Sequence, residues 1–521
     1  MLALVLATGL ATAAAFSPAG RAPVRGRAPS PAMSDDLFLG IDCGTQGLKA
    51  VVYDAVGKAT IGVGSVAYGL LPSTEVGCAE QDPAVWVGAM HDAAAQGTSA
   101  ASTGACVRGV GVSGQQHGLV ALDEAYGVIR PAKLWCDTQS APEAVELAAR
   151  LGWGIVAGFT STKLLWLKRH EPEAFGRLAH IALPHDYLNW VLTGELVMEC
   201  GEASGTGLLD PESRAWDGAA AAMIDAVLLC KLPPLIGPCD AAGALQPAAA
   251  AALGVPAGVP VSAGGGDNMM SALGCGVSVE GRVAISLGTS GTLFAKAPSA
   301  ARDASGAICP FFDATGGGLP LMCTLNAAGV PEEVRAGYGL PRDEIGALAA
   351  AEPAGCEGLS MLPFLAGERT PNWPHASGAL VGLRAGHLAR SGLLYRAALE
   401  GVAFSLRGGI AALRKHGVPE IREVRLVGGG AKSALWRAVI ADALQVRVVC
   451  PASPESAARG AALQAAAHVY GVPADRLGEW AATEHAVPLE ASVEPDPAAA
   501  AAYDGAYALY EGRARALFAE G

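Results

Sequence analysis

Residues 37–54 read LFLGIDCGTQGLKAVVYD, and this stretch decides the fold. Two apolar runs, Phe38 to Ile41 and Leu48 to Tyr53, flank a glycine-rich turn over Cys43 to Gly47. Apolar runs separated by a short turn predict a β-hairpin at the start of a domain. Residues 283–295, VAISLGTSGTLFA, repeat the outline of strand, Gly-Thr turn and returning strand. The sequence therefore predicts two related domains.

The rest of the chain alternates strand-like and helix-like segments, as where Val424 to Val427 precedes Ser433 to Leu444. Such alternation indicates an α/β fold with mixed layers. We expect a first domain over residues 37–280, a second domain over residues 281–490, and a tail over residues 491–521 that contains one terminal helix.

Composition narrows the classes of partner. A chain of 521 residues with 51% hydrophobic and 16% charged residues can bury more than one core. Its formal net charge of -13 argues against nucleic acid, which proteins hold with clustered Lys and Arg. Beyond the N-terminal segment, no stretch is long and apolar enough for a membrane span, so we expect no membrane partner. The twelve cysteines contain no CxxC pair, which favours reduced thiols over a zinc or redox site.

The first 36 residues differ from the rest. Leu2 to Ala15 form an apolar run too short to cross a bilayer, and no acidic residue occurs before Asp35. Three arginines follow the run among Pro and Ser, namely Arg21, Arg25 and Arg27. This pattern resembles a two-part plastid presequence, which predicts a removable segment and a plastid stromal location. An ordinary secretory signal, or an extension before Met33 on a cytoplasmic protein, are the alternatives.

The segment Pro260 to Asn268, PVSAGGGDN, runs from an apolar strand through three glycines to an acid. We expect Asp267 at a helix N-cap, where the helix dipole and amide donors would keep its carboxylate ionised. Phosphoryl transfer needs such a group to orient the attacking hydroxyl and accept its proton. The alternative is an aspartate that only caps a helix.

The two Gly-Thr turns differ at one position. Asp42 precedes the first turn, whereas Ser286 stands at the matching place before the second. Small residues in both turns would let backbone N–H groups reach phosphate oxygens, and one carboxylate suffices to hold Mg²⁺ through its water ligands. Either turn, taken alone, could be a simple tight hairpin.

Two further glycine-flanked segments carry candidate binding groups. Gly114 to Gly118 places the amide of Gln116 and the imidazole of His117 on one turn, and both groups suit sugar hydroxyls. A structural histidine is the alternative. Val427 to Ser433 again runs from strand through glycines to helix, but it fits neither the P-loop nor the Rossmann pattern.

Together these segments resemble the FGGY carbohydrate kinase family from about Leu37 to about Val487. The motifs that carry the resemblance are Gly40 to Thr45, Gly114 to Gly118, Gly158 to Trp166, Leu183 to Leu188, Ser286 to Gly291 and Leu365 to Pro371. The resemblance implies two ribonuclease-H-like domains of the actin-like ATPase fold, with a ligand cleft between them.

The resemblance also implies roles for individual residues. Asp267 would be the catalytic base, and Asp42 would help to hold the metal. The residues implied in sugar binding are Gln116, His117, Asp267 and Asn268. The residues implied in ATP binding are Gly44, Thr45, Gln46, Gly288, Thr289, Ser290, Gly429, Gly430 and Lys432.

The implied reaction is the ATP-dependent phosphorylation of D-xylulose to D-xylulose 5-phosphate, with ATP and Mg²⁺ as cofactors. The expected partners are a small ketose and ATP, and the expected assembly is a monomer or a homodimer. Some bacterial relatives have Met where this chain has Gln116, which leaves a ribulokinase-like or gluconokinase-like activity open. A non-catalytic actin-like ATPase or chaperone is a further alternative of the same fold.

Overall fold

The computed structural model describes residues 36–101, 106–453 and 455–519. The predicted targeting segment lies outside the described residues, apart from its last residue, Asp36. The strands are β1 (Leu37–Cys43), β2 (Gly47–Asp54), β3 (Ala59–Ala67), β4 (Glu80–Gln81), β5 (Val107–Gly114), β6 (Val120–Leu122), β7 (Ala132–Lys133), β8 (His180–Ala182), β9 (Met198–Glu199), β10 (Leu209–Asp210), β11 (Ala215–Trp216), β12 (Leu235–Ile236), β13 (Ala241–Ala244), β14 (Pro260–Ser262), β15 (Gly265–Gly266), β16 (Arg282–Leu287), β17 (Gly291–Ala295), β18 (Ile308–Phe312), β19 (Gly318–Thr324), β20 (Ser360–Leu362), β21 (Ala379–Val381), β22 (Glu423–Val427), β23 (Arg447–Pro451) and β24 (Leu489–Val493). The helices are α1 (Pro83–Ala101), α2 (Ala141–Leu151), α3 (Thr160–His170), α4 (Pro172–Arg177), α5 (Pro184–Thr193), α6 (Cys200–Ser204), α7 (Gly218–Ile224), α8 (Pro247–Leu253), α9 (Asp267–Cys275), α10 (Gly329–Tyr338), α11 (Arg342–Ala350), α12 (Ser391–Lys415), α13 (Ala434–Leu444), α14 (Ser456–Tyr470), α15 (Ala474–Thr483) and α16 (Pro497–Phe518).

The first large sheet has seven strands and contains the predicted hairpin. Its order is β13-β14-β5-β1-β2-β3, and β15 pairs with β5 off this path. The central strand β1 runs antiparallel to β2 and parallel to β5. Its sequence LFLGIDC is almost wholly buried, as expected for a strand covered on both faces.

The second large sheet also has seven strands and repeats this arrangement. Its order is β18-β19-β17-β16-β22-β23-β24. The strand β16 runs antiparallel to β17 and parallel to β22, as β1 does with β2 and β5. The prediction of two hairpins that begin related α/β halves is therefore confirmed, and the predicted boundary at residue 280 lies between the two sets of strands.

Local sequence signals set several helix starts. The Ser433 side chain accepts a hydrogen bond from the Trp436 N–H at the start of α13. The Asp496 side chain does the same for the Ala498 N–H at the start of α16, where Pro497 occupies the first turn. The predicted terminal helix is confirmed.

Helix α14 comes late in the sequence but packs on the first sheet. Glycines permit this approach: a Cβ atom on Gly40 would lie 1.9 Å from the Ala458 carbonyl oxygen, and one on Gly111 would lie 2.0 Å from that of Ala461. A Cβ atom on Gly460 would lie 1.8 Å from the Met270 carbonyl oxygen in α9. The alanine-rich face of α14 is thus in direct backbone contact with two strands and one helix.

All twelve cysteines lie in the described ranges, and none of them forms a disulfide. In the described ranges, no helix has the length and apolar character needed to cross a membrane.

Candidate active site

Parallel strands of the first sheet end together and gather the polar residues of the site. Asp42 pairs with Ser113 across β1 and β5, and Ser113 pairs with Gly265 across β5 and β15. The Ser113 hydroxyl donates a 2.9 Å hydrogen bond to Asp42 Oδ1. Since Asp267 follows β15 directly, the carboxyl ends of three strands bring Asp42 and Asp267 to one edge.

A cavity of about 190 Å³ lies at this edge and is lined by both halves of the chain. We call it the central cavity. Its lining from the first half includes Thr45, Gln116, His117, Trp135, Phe159, Asp267 and Asn268. Its lining from the second half includes Thr292, Cys309, Phe311, Leu321, Cys323 and Arg369. The residues predicted to bind the substrate and to act as base therefore surround one space.

The predicted sugar-binding amides form a connected chain. Asn268 Nδ2 donates to Gln116 Oε1 at 2.7 Å and to Asp267 Oδ1 at 2.9 Å. The other end of the Gln116 amide, Nε2, is buried and has no hydrogen-bond partner among the described residues. Because buried polar atoms are nearly always paired in the working protein, this unpaired N–H group beside the central cavity is a candidate donor to a ligand hydroxyl once the side chain turns toward the cavity.

His117 has a left-handed backbone conformation, and its ring packs against two aromatic rings. Its φ of 63° lies in the left-handed region. The imidazole packs 5.3 Å from the Phe159 ring and 5.1 Å from the Phe311 ring, measured between centroids. Burial, with lesser effects of Lys163 and Arg369, lowers the pKa of His117 well below its usual value. The imidazole is therefore neutral at physiological pH, and a neutral imidazole can donate at one ring nitrogen and accept at the other; Nδ1 is buried and has no partner among the described residues.

Two fully buried side chains, Lys163 and Glu202, fix the backbone around His117; burial lowers the pKa of Lys163 to about 7 and raises the pKa of Glu202 well above its usual value. Lys163 Nζ donates to the His117 carbonyl oxygen at 2.7 Å and also to the Gly158 carbonyl oxygen. The His117 N–H donates to Glu202 Oε1 at 3.2 Å. Lys163 thus ties the turn that carries His117 to the loop that carries Phe159, although sequence reasoning gave it no role.

Thr45, predicted to bind ATP, faces the central cavity. Its hydroxyl donates to Gln115 Oε1 at 3.0 Å and accepts from the Trp135 indole N–H at 2.9 Å. Gln46 is exposed at the tip of the same turn, and Gly44 closes the turn through a 3.0 Å hydrogen bond from its N–H to the Gly47 carbonyl.

The structure corrects two expectations about Asp267. Gly266 is the N-cap residue, and Asp267 is the first residue of α9. Burial and then the charge of Asp42 raise the pKa of Asp267 to about 7, although the backbone and side chain of Asn268 lower it. The expectation that the helix terminus keeps this acid strongly ionised is therefore wrong, because loss of hydration outweighs the dipole. A carboxyl group with a pKa near neutrality is suited to accept a proton.

Asp42 offers a carboxylate oxygen as a ligand for a hard cation. It is half-buried, and burial raises its pKa to about 6, whereas the Ser113 hydrogen bond and Lys49 lower it. A divalent cation beside it would offset the repulsion that it exerts on Asp267, so the donor set fits Mg²⁺. Another group that could hold a metal in the described ranges is formed by Cys78, Glu80 and Asp137.

That second group already has a cation. Lys133 Nζ lies 3.1 Å from Glu80 Oε1 and 2.9 Å from Asp137 Oδ2. Arg130 Nη2 also lies 2.5 Å from Glu80 Oε1, so two cations balance the two carboxylates and the cluster is explained without a metal.

The second Gly-Thr turn lies beside the glycine loop that follows β22. Gly288, Thr289 and Ser290 are exposed, and β16 and β22 pair in parallel up to Ser286 and Val427. Gly428 has a φ of 92°, and a Cβ atom there would lie 2.7 Å from the Leu287 carbonyl oxygen. Gly429, Gly430 and Lys432 form a short 3-10 helix next to this contact. The predicted nucleotide residues of the second half therefore form one accessible surface.

Sequence reasoning missed the aromatic walls of the central cavity and one cation. Phe311 lies in the strand ICPFF, whose apolar run is typical of a core strand. Trp135, which is 43% exposed, lies in none of the motifs, and Arg369 lies in the motif from Leu365 to Pro371 but was given no role. Arg369 follows Glu368, whose carboxylate accepts a 2.7 Å hydrogen bond from the Thr324 hydroxyl and thereby fixes the loop.

The two large sheets share one topology, and residues from both halves, including the Asp267 carboxylate, line the central cavity. This arrangement defines the two-domain class of the actin-like ATPases. The chain belongs to the FGGY family of carbohydrate kinases. Residues 37–274 match the N-terminal domain of that family, and residues 283–469 match its C-terminal domain.

Named relatives support this assignment. The chain is 38% identical over 446 residues to a xylulose kinase of Haemophilus influenzae, a match that covers 82% of this chain and 90% of that protein. It is 38% identical over 475 residues to a xylulose kinase of Streptomyces coelicolor, covering 89% of this chain and 94% of the relative. A crystal structure described as a "xyloylose kinase" from Brucella ovis superimposes with a TM-score of 0.85 at 33% identity, covering 92% of this chain and 99% of that chain.

Proposed function

We propose that this chain is an ATP-dependent kinase that converts D-xylulose to D-xylulose 5-phosphate. The named relatives are xylulose kinases and align over most of their own length. The observation that carries the proposal is the central cavity, in which Asp267 lies beside an amide pair and a neutral imidazole. These groups match a small uncharged polyol better than an anionic substrate.

The amides and the imidazole would orient the ketose. Gln116 Nε2 is a free donor, and the Gln116 and Asn268 side chains hold each other through a 2.7 Å hydrogen bond. Phe159, Phe311 and Trp135 form apolar walls that can pack on the C–H faces of the sugar. Directional polar contacts on one side and rings on the other fix the position of a hydroxyl relative to Asp267.

Asp267 would act as the general base. As the substrate hydroxyl oxygen forms a bond to the γ-phosphorus, its proton passes to the Asp267 carboxylate, the bond between the γ-phosphorus and the bridging oxygen breaks, and ADP leaves with that electron pair. The reaction is a substitution, so no oxidant or reductant is needed. Arg369, at the cavity wall from the second half, is placed to balance negative charge.

ATP and Mg²⁺ would bind on the side of the site that carries the glycine turns. We infer that Asp42 holds Mg²⁺, which neutralises phosphate charge when bound. Backbone N–H groups of the Gly44 and Gly288 turns are the expected phosphate contacts, and Gly429, Gly430 and Lys432 the expected nucleoside-side contacts.

A coupled ADP-release assay tests the proposal on protein that starts at Met33. D-xylulose, ribulose, gluconate and glycerol are compared at equal concentrations, and D-xylulose is expected to give the highest kcat/KM. Preference for ribulose or gluconate would move the assignment to the corresponding kinase activity. The Asp267→Asn variant is expected to lose at least about 100-fold in kcat while binding ATP normally.

The Asp123→Asn variant is the matched control, because Asp123 is a surface carboxylate engaged with the Gly127 N–H and lies outside the central cavity. It is expected to retain normal turnover. Equal losses in the two variants would mean that charge removal in general, and not the base, limits the reaction.

We also propose that residues 1–36 direct the protein to the plastid stroma. The support is compositional: a short apolar run is followed by arginines, without an acid before Asp35. A fluorescent protein that carries residues 1–36 is expected to enter plastids of an alga with complex plastids. A cytoplasmic or secreted signal would contradict this proposal without affecting the assignment as a kinase.

A further inference from the structure

Of the described residues that the second half contributes to the wall of the central cavity, one is charged, Arg369. The others are uncharged, namely Thr292, Cys309, Phe311, Leu321 and Cys323. Burial raises the pKa of both cysteine thiols, to about 12 for Cys309, so neither is a thiolate. Among the described residues, no acceptor pairs with the Arg369 guanidinium. Its N–H groups are therefore free to meet a ligand.

The loop that carries Arg369 is fixed by the residues on either side of it. The Glu368 side chain is 1% exposed, and its carboxylate accepts hydrogen bonds from the Thr324 hydroxyl at 2.7 Å and from the Arg369 N–H at 2.7 Å. The Thr370 hydroxyl donates to the Ala307 carbonyl oxygen at 3.0 Å. The backbone position of Arg369 is thus set before a ligand arrives, so little order has to be gained on binding.

The charge of Arg369 acts on the sugar-binding side of the central cavity. It contributes to the lowered pKa of His117, so the guanidinium and the imidazole belong to the same region. Of the described residues that line the cavity, Asp267 is the one acid and Arg369 the one cation. Because these two charges offset each other, the cavity as a whole favours a neutral sugar over a sugar acid.

A guanidinium differs from the other polar groups of the cavity because it has donors only. The Gln116 amide and the His117 imidazole each donate and accept, as a hydroxyl group does. The Trp135 indole is also a donor, but its N–H is already bonded to the Thr45 hydroxyl at 2.9 Å. Arg369 therefore matches a ligand atom that accepts hydrogen bonds and carries no proton of its own, such as a carbonyl oxygen.

A ketose that is phosphorylated on its 5-hydroxyl must present such an atom. In a five-carbon 2-ketose, ring closure joins the 5-hydroxyl oxygen to C2, which removes the free hydroxyl and the carbonyl together. The form that can attack the γ-phosphorus is therefore the open chain, in which the C2 carbonyl is free. That oxygen loses its hydration in the cavity, and burial without a donor would weaken binding.

We propose that the Arg369 guanidinium donates hydrogen bonds to the C2 carbonyl oxygen of the open-chain ketose while the 5-hydroxyl lies at Asp267. Arg369 is thereby a specificity-determining residue, which makes the site prefer ketoses over polyols that lack a carbonyl. The inference rests on the proposed function, because it assigns the far end of that substrate. Each half of the chain then holds one end of the sugar.

Binding in the absence of nucleotide tests the inference, since no phosphoryl group is then present. Dissociation constants of the full chain for D-xylulose, xylitol and D-arabitol are measured by isothermal titration calorimetry; the two polyols are the products of reducing the C2 carbonyl. In the Arg369→Met variant, affinity for D-xylulose is expected to fall about 10- to 100-fold, the range for a hydrogen bond with a charged partner. Affinity for either polyol is expected to fall less than about threefold.

Arg384→Met is the matched control, because Arg384 is an exposed arginine of the same half that does not line the central cavity. It is expected to leave all three dissociation constants unchanged. Retained polyol binding by the Arg369→Met variant verifies that this variant folds.

Two outcomes would overturn the inference. One is an equal loss of affinity for the ketose and the polyols, which would mean that the guanidinium meets hydroxyl groups or only shapes the wall. The other is unchanged sugar affinity with a lower kcat for the ketose, which would assign Arg369 to the transferred phosphoryl group. Neither outcome affects the proposed function, which fails separately if the unaltered chain releases no ADP with D-xylulose.

Discussion

The Asp267→Asn substitution is expected to make the protein more stable while removing its activity. The pKa of Asp267 rises from 3.8 to about 7 on folding because of burial and the charge of Asp42. Below pH 3.8 the acid is protonated in both the folded and the unfolded state, and it destabilises neither. Between pH 3.8 and 7 the unfolded state loses its proton first, so stability falls as pH rises and the full loss is reached above pH 7.

The size of this effect follows from the two pKa values. One pKa unit corresponds to about 1.4 kcal/mol, so ionised Asp267 lowers the free energy of unfolding by up to about 4 kcal/mol at pH 8. The asparagine variant keeps the shape and the acceptor for Asn268 Nδ2 but carries no charge. It is expected to gain stability at pH 8 and to gain about half as much at pH 5.5.

Urea denaturation at the two pH values, followed by tryptophan fluorescence, measures the gain as a shift of the midpoint. The Asp123→Asn variant is a control in which the stability change is expected to have the opposite sign. The hydrogen bond from the Gly127 N–H lowers the pKa of Asp123, burial raises it, and Arg177 lowers it further, so the net shift is downward. That variant is expected to lose stability. A gain for Asp267→Asn that is the same at both pH values, or a loss at pH 8, would refute the reasoning that charge burial at the base destabilises the fold.

The other predictions concern turnover. The kcat/KM for D-xylulose is expected to rise with pH through about 7, since Asp267 must be ionised to accept a proton, and a flat profile from pH 5.5 to 8.5 would contradict its role as base. His117→Ala is expected to raise KM for the ketose by about tenfold and KM for ATP little, whereas equal changes would indicate a structural histidine. Lys163→Met removes the hydrogen bond to the His117 carbonyl and is expected to lower kcat/KM for the ketose about tenfold; unchanged ketose kinetics would show that the turn holds its shape without it. The Gly428→Ala substitution is strained, because residue 428 has a φ of 92° and its Cβ atom would meet the Leu287 carbonyl. KM for ATP is therefore expected to rise more than KM for the ketose. Steady-state kinetics with each substrate varied in turn measure both values, and a larger rise for the ketose would contradict a role of this loop in ATP binding.

The local features of the fold could be predicted from the sequence. The hairpin at residues 37–54 and its repeat have apolar runs and a Gly-Thr turn that are set by neighbours in the chain. Asp267 could be predicted at the start of a helix because a strand, three glycines and an acid lie within one short segment. In each case the contacts that determine the structure join residues that are close together in the sequence.

Features that depend on distant residues could not be predicted. The pKa of Asp267 depends on Asp42, which is brought near by the pairing of three parallel strands. Phe311 has the sequence context of a core residue, and only the meeting of the two halves places its ring against His117. Arg369 reaches the central cavity because the buried carboxylate of Glu368 fixes its loop. The Thr324 hydroxyl donates a hydrogen bond to that carboxylate.

Helix α14 has a consequence for how the chain can be divided. The helix belongs to the second half by sequence, yet its alanines seal one face of the strands that hold Asp42 and Ser113. A fragment that ended near residue 280 would expose this face of the first sheet to water, because Gly40 and Gly111 would lose their contacts with α14. The halves are therefore interdependent: the first completes its hydrophobic core only when the ribosome has delivered residues 456–470, long after Asp267 has been synthesised.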